Sequence, residues 1–252
     1  MDSPLESLEE LLNMIFSETF HKFWKAYIPD KISNFIVKRS KLGGAWGQRD
    51  YNLQSKQTII GIEENLAPFH KEMSLAHEIL DLVLEREGYP VIYSDAQQLK
   101  QNLPGRDPIA SNLHSVIIHP VIWFQMREWG FPVDEHIRVK ATGQLKDLQS
   151  KIDKYPSRSN FSVWCGWLLQ YILARLEWGE PERQEIYEIF ENRHIPIGRQ
   201  GEKYIKRLEK LGYFDPRNLT PSIVAKAGDM FLQFLELKPY FTLVSTKPDI
   251  LR

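Results

Sequence analysis

The chain has 252 residues, of which 42% are hydrophobic and 12% aromatic, so it can bury a large core without disulfides or metal ions. This composition excludes a disordered or fibrous protein. The 32 Lys and Arg residues against 33 Asp and Glu leave a formal charge of -1, which excludes a whole-chain field that attracts nucleic acid or anionic membranes.

Three features of the sequence indicate a cytoplasmic protein. The N-terminal sequence MDSPLESLEELL is acidic where a signal peptide would be basic, and the single cysteine, Cys165, cannot form an intramolecular disulfide. The most apolar run, residues 161–174, is shorter than the roughly 20 residues that span a bilayer. We therefore expect a cytoplasmic protein without a membrane partner.

The N-terminal part predicts helix followed by strands. A capping box at Ser3 and apolar residues at helical spacing through Tyr27 predict one long amphipathic helix. Two β-branched runs, residues 34–39 and 57–62, flank a glycine-containing stretch, residues 42–51, that holds either a turn or a third strand. We expect a small antiparallel sheet here and nowhere else.

The rest of the chain predicts helices. One helix begins at Pro68 and ends near Glu87, and the next runs from Asp107 to Gly130. Further helices are expected over residues 134–151, 159–178, 181–192, 198–211 and 221–237, the last of them capped by Thr220. The predicted fold class is α+β and predominantly helical. A boundary near residues 154–157 divides an α+β domain, 1–153, from a helical domain, 154–252, and the two could share one core.

The predicted helix that begins at Pro68 carries the residues with the clearest chemistry. His77 and Asp81 are four residues apart, so their side chains project within roughly 40° of each other and can reach one metal ion. Glu78 lies on the adjacent flank, where a carboxylate can act as general base toward a metal-bound water. H-E-x-x-H hydrolases use this arrangement: two helix residues one turn apart bind Zn²⁺, and the intervening Glu takes the proton of the water.

This part of the chain resembles a known family. Two strands followed by LAHEILDLVLEREGYP resemble the minimal core of zincin-like intracellular metallopeptidases of the HExxH type, over about residues 30–132. The second metal-binding histidine of that family corresponds to Asp81 here, which is a departure from the pattern. An anionic oxygen ligand lowers the Lewis acidity of zinc. With a carboxylate in place of a second imidazole, Mn²⁺ or Fe²⁺ becomes a more plausible metal for the site.

The resemblance implies a third metal ligand on the following helix. His119 and His114 are the candidates, and His119 is favoured because the apolar run of residues 121–124 follows it directly. The resulting hypothesis is a divalent-metal-dependent, peptidase-like hydrolase, with zinc as the first choice of metal. His77, Asp81 and His119 would bind the ion, and the substrate would be a peptide or protein.

Several alternatives stay open at this point. His77, Glu78, Asp81 and Glu85 fall in one polar quadrant, which an ordinary amphipathic surface helix would also show. A catalytically inactive zincin-like protein could instead serve as a protein-interaction module. Aromatic residues such as Trp164 are core residues or anchors of an interface between copies, so a homo-oligomer is a further option.

A different class of function is suggested by the segment that ends in KRLEKLGYF. It resembles the second helix of helix-turn-helix and winged-helix domains and predicts a nucleic-acid-binding surface made of Arg199, Lys203, Lys206 and Arg207. Glu202 and Glu209 dilute this basic patch, and no wing strands are evident after it. A solvated helix face is the more common explanation of such a pattern.

Overall fold

Helices make up most of the molecule, which confirms the predicted α+β, predominantly helical class. The computed structural model describes residues 4–28, 35–42, 45–52, 56–93, 106–152, 161–193 and 195–245. The helices are α1 (Pro4–Leu12), α2 (Glu18–Tyr27), α3 (Pro68–Arg86), α4 (Arg106–Glu128), α5 (Val133–Lys151), α6 (Phe161–Glu177), α7 (Glu182–Arg193), α8 (Ile195–Lys210) and α9 (Pro221–Phe234). The strands are β1 (Phe35–Ser40), β2 (Gly47–Asn52), β3 (Gln57–Glu63), β4 (Pro90–Tyr93) and β5 (Thr242–Ser245).

The chain divides into two compact units. Unit 1 comprises Met1–Leu84 and Ile122–Val133, and unit 2 comprises Glu85–Val121 and Asp134–Arg252. The boundary predicted near residues 154–157 lies outside the described residues. The division found in the structure falls within the helices α3, α4 and α5, where no change of composition marks it.

The first predicted helix is two helices, so the prediction of one long helix was wrong. Asn13 adopts a left-handed backbone with φ of 51°, a conformation that Asn tolerates better than most residues. Ser17 then caps α2, because its hydroxyl accepts a hydrogen bond from the Phe20 amide at 3.1 Å. The Ser17 hydroxyl and amide both donate to the carboxylate of Glu72 at 2.7 Å, which fixes the break against α3.

A three-stranded sheet in the order β1-β3-β2 forms the β-structure of unit 1. The stretch 42–51 does contain a third strand, and β2 pairs antiparallel with β3 as expected. The expectation was wrong for β1, which pairs parallel with β3. Strand β2 occupies one edge of β3 and β1 the other, and nothing in the sequence pattern of β1 encodes the direction in which it pairs.

A second sheet, in unit 2, contradicts the expectation that strands occur nowhere else. Strands β4 and β5 pair antiparallel, with Pro90 opposite Ser245 and Tyr93 opposite Thr242. Four residues are too few for the sequence to show an alternating pattern, so only the pairing reveals β5. Helix α9 packs closely here, since a Cβ atom on Gly228 would lie 2.7 Å from a methyl carbon of Leu243.

The remaining helices agree with the sequence to within a few residues. Helix α9 begins where Thr220 was expected to cap it, and the Thr220 hydroxyl accepts from the Ile223 amide at 3.4 Å. The apolar run around Cys165 is helix α6, which buries the cysteine side chain completely. Among the described residues, no helix combines the length and the apolar character that a membrane span requires.

Candidate site between strand β2 and helix α3

Helix α3 is buried on almost every side, so it is not the amphipathic surface helix that the sequence also allowed. Its buried residues include Lys71 to Ala76 and Glu78 to Leu84. Two carboxylates of the polar quadrant, those of Glu78 and Asp81, belong to residues that are only 9% and 7% exposed. Charged groups with so little access to water need partners within the protein.

Strand β2 provides the partner for one of these carboxylates. The Arg49 guanidinium lies 3.2 Å from an Asp81 carboxylate oxygen, measured from Nη2 to Oδ2. The side chains are 16% and 10% exposed, so this ion pair is largely withdrawn from solvent. Alternation along the strand explains the geometry, because Gly47 and Arg49 share one face of β2 while Gln48 and Asp50 share the other.

Gly47 lets the backbone of β2 approach the second carboxylate. A Cβ atom at this position would lie 2.8 Å from Oε1 of Glu78 and 3.1 Å from its Cγ. Both distances are shorter than ordinary van der Waals contact, so any larger residue would have to displace the Glu78 side chain or the strand. The Glu78 carboxyl group is therefore packed against β2, next to the Arg49–Asp81 ion pair one turn further along α3.

His77 is held by contacts on the same helix and on α4. Its Nδ1 atom lies 3.5 Å from Oε1 of Glu78, which is longer than an ordinary hydrogen bond. Its ring packs on Trp123, with ring centroids 4.8 Å apart and planes inclined by 49°. The His77 side chain is 13% exposed. The structure therefore places His77 beside Glu78, and it places Glu78 and Asp81 against neighbouring residues of β2, Gly47 and Arg49.

The predicted third ligand, His119, has a carboxylate partner in unit 2. Its Nδ1 atom lies 2.6 Å from Oε1 of Glu177, and the two side chains are 6% and 3% exposed. Such a short contact between buried groups is typical of a charge-assisted hydrogen bond. The other candidate, His114, is half-buried on the same helix. Sequence reasoning missed Glu177 because 58 positions separate it from His119, and no local motif connects them.

The donors of the β2–α3 site do not fit a zinc centre. Among the residues that the structure describes, no group of three or more His, Cys, Asp or Glu side chains is arranged to hold a metal ion. The carboxylate of Asp81 already faces a guanidinium. Zinc sites in proteins use three or four ligands at about 2.0–2.3 Å from the ion. What this site holds instead is a carboxylate neutralised by a cation that the chain itself supplies.

Two residues of this site were missed by sequence reasoning. Arg49 and Gly47 lie in the stretch that could be read as a turn or a strand, and only the strand reading puts them on one face.

No protein-family model, no curated protein and no solved structure matches the chain. The role of the β2–α3 site therefore has to follow from its own residues.

Proposed function

We propose that unit 1 is a zincin-like unit without hydrolytic activity and that the protein works as a protein-interaction module, by binding another protein and not by hydrolysis. One observation carries this proposal: the 3.2 Å ion pair between Arg49 and Asp81. Asp81 stands at the position where the resemblance implies the second metal-binding histidine. An internal cation then takes the place that a metal ion would need.

Competition between two cations supports this proposal. A zinc ion on Asp81 would lie about 2.0–2.2 Å from the carboxylate oxygen. The Arg49 guanidinium is 3.2 Å from the same carboxylate, so ion and guanidinium would be close neighbours in a poorly solvated site, where like charges repel strongly. Displacing Arg49 would in turn leave its charge without this partner, which is costly at a buried position.

The packing of Glu78 also supports a non-catalytic site. A general base must reach the proton that it removes and needs space for the water molecule beside it. The Glu78 carboxyl group lies against the backbone of β2, since its Oε1 atom is 2.8 Å from the position that a Cβ atom on Gly47 would occupy. The metal-dependent hydrolase with a peptide substrate is the rival of this proposal, and the homo-oligomer stays a prediction.

A hydrolysis assay tests the proposal. The full chain would be incubated with Zn²⁺ and labelled casein, next to Glu78→Gln and the control variant Glu85→Gln, which changes a half-buried carboxylate on the same helix. We expect the parent and both variants to give the same background rate. A rate that chelation and Glu78→Gln abolish, but that Glu85→Gln retains, would overturn the proposal and establish the hydrolase.

A further inference from the structure

Helix α8 in unit 2 carries a continuous basic stripe that the proposed function does not use. Its members are exposed and, at about 100° per residue, fall within about 100° of arc on the helix surface. They are Arg199, Lys203, Lys206, Arg207 and Lys210. No acidic residue of α8 falls inside this arc. Glu202 and Glu209 lie beyond one edge of the stripe, and along that edge Glu202 and Glu191 line a cleft together with Arg199, Lys203 and Lys206.

The opposite face of α8 is buried, so the stripe points away from the core of unit 2. The buried side chains on that face are Ile197, Tyr204, Ile205 and Leu208. Gly201 packs so tightly against the ring of Tyr171 on α6 that a Cβ atom there would overlap it. The Tyr171 hydroxyl also donates to Oε1 of Glu202 at 3.0 Å. These contacts fix the rotation of α8 about its axis and therefore the direction of the stripe.

Neighbouring residues hold and extend the stripe. The Arg207 guanidinium lies over the ring of Phe234 on α9, 4.6 Å from the ring centroid, which restrains an otherwise flexible cation. Exposed Lys226 on α9 lines the same cleft as Arg207 and adds a further positive charge, while Asp229 is the acidic group of that cleft. A local patch of this kind exists although the whole chain has a formal charge of -1.

The form of the stripe suits duplex DNA better than other anionic partners. From Arg199 to Lys210 it extends about 16 Å along a helix, and a helix of ordinary diameter enters the roughly 12 Å major groove of B-DNA. The major groove of A-form RNA is too deep and narrow to admit it. A membrane-surface helix would need exposed apolar residues beside its cations, whereas Ile197, Ile205 and Leu208 of α8 are buried.

We propose that the exposed basic stripe of α8 is a binding surface for the phosphate backbone of duplex DNA, with α8 lying along the major groove. This inference stands on unit 2 alone and does not depend on the proposed role of the β2–α3 site. Phosphate contacts of this type bind without strong sequence preference, and their affinity falls with salt. Four to five contacts correspond to a slope of log affinity against log salt of about -3.6 to -4.5.

Fluorescence anisotropy of the full chain with a labelled random-sequence duplex tests this surface. The variant Lys203→Glu/Lys206→Glu reverses two charges at the centre of the stripe. The control variant Lys38→Glu/Lys146→Glu changes the net charge equally at exposed positions on β1 and α5. Circular dichroism would verify that both variants are folded.

We expect a dissociation constant of about 10⁻⁴–10⁻⁶ M for the parent at physiological salt. The stripe variant should bind at least about tenfold more weakly, and the control variant should bind like the parent.

Three results would overturn this inference. The first is absence of duplex binding at low salt, and the second is an equal loss of binding in the stripe and control variants. The third is equally tight, stripe-dependent binding to vesicles rich in phosphatidylserine or to polyglutamate, which would assign the stripe to another class of anionic partner.

Discussion

The ion pair between Arg49 and Asp81 predicts a specific response to removing either partner. Replacing one member of a fully buried ion pair costs about 3–5 kcal/mol, because the other charge stays behind in a poorly solvated site. The two side chains are 16% and 10% exposed, which places the expected loss at the lower end, about 3 kcal/mol, for Arg49→Met or Asp81→Leu. The double variant Arg49→Met/Asp81→Leu leaves no charge behind and should recover most of the stability.

Urea unfolding of the four proteins in this cycle measures the effect. With a slope of about 1–3 kcal/mol/M, each single variant should lower the midpoint by at least about 1 M. Lys22→Ala is the control, because the Lys22–Glu18 pair has a shorter distance of 2.8 Å but side chains that are 67% and 83% exposed. Such an exposed pair contributes little to stability because solvent screens it. Single variants at Arg49 and Asp81 that lose no more than this control would refute the reasoning.

Two further predictions concern packing and pH. In Gly47→Ala, the new methyl group meets Oε1 of Glu78 at 2.8 Å, so we expect the unfolding free energy to fall by about 1–3 kcal/mol. The double variant Gly47→Ala/Glu78→Ala should recover part of this loss. An unchanged urea midpoint in the single variant would contradict the close approach of β2 to Glu78. Burial raises the pKa of Tyr187 to about 12 from its usual 10. Because the folded protein favours the neutral phenol, Tyr187 contributes fully to the free energy of unfolding below pH 10, and this contribution is lost as the pH rises toward 12. In a spectroscopic tyrosinate titration, Tyr187→Phe should remove a late-titrating group, and loss of an early-titrating group instead would count against this assignment.

The sequence predicted the helices well because their signals are local. Pro68 at the start, Gly88 after the end and helical spacing between them define α3, which the structure gives as Pro68–Arg86. The first helix was predicted less well, since the apolar spacing continues through residues 13–17 where the backbone turns. What divides α1 from α2 there is the tertiary contact of Ser17 with Glu72, 55 positions away.

The candidate site could be predicted only in part for a related reason. Spacing on one helix was enough to group His77, Glu78 and Asp81, because one turn of α-helix fixes their relative directions. The partner of Asp81 comes from strand β2, and the partner of His119 comes from the last turn of α6. Pairings over such separations depend on how elements pack, and a single sequence contains no local pattern that encodes them.

Zinc titration of the full chain by isothermal calorimetry tests the central claim most directly, because the claim concerns which cation faces Asp81. Because Arg49 already faces Asp81, we expect no stoichiometric binding of Zn²⁺ and the same weak heats for the parent, His77→Ala and Asp81→Ala. Binding of one zinc ion per chain, with an affinity that falls in both variants, would contradict the account.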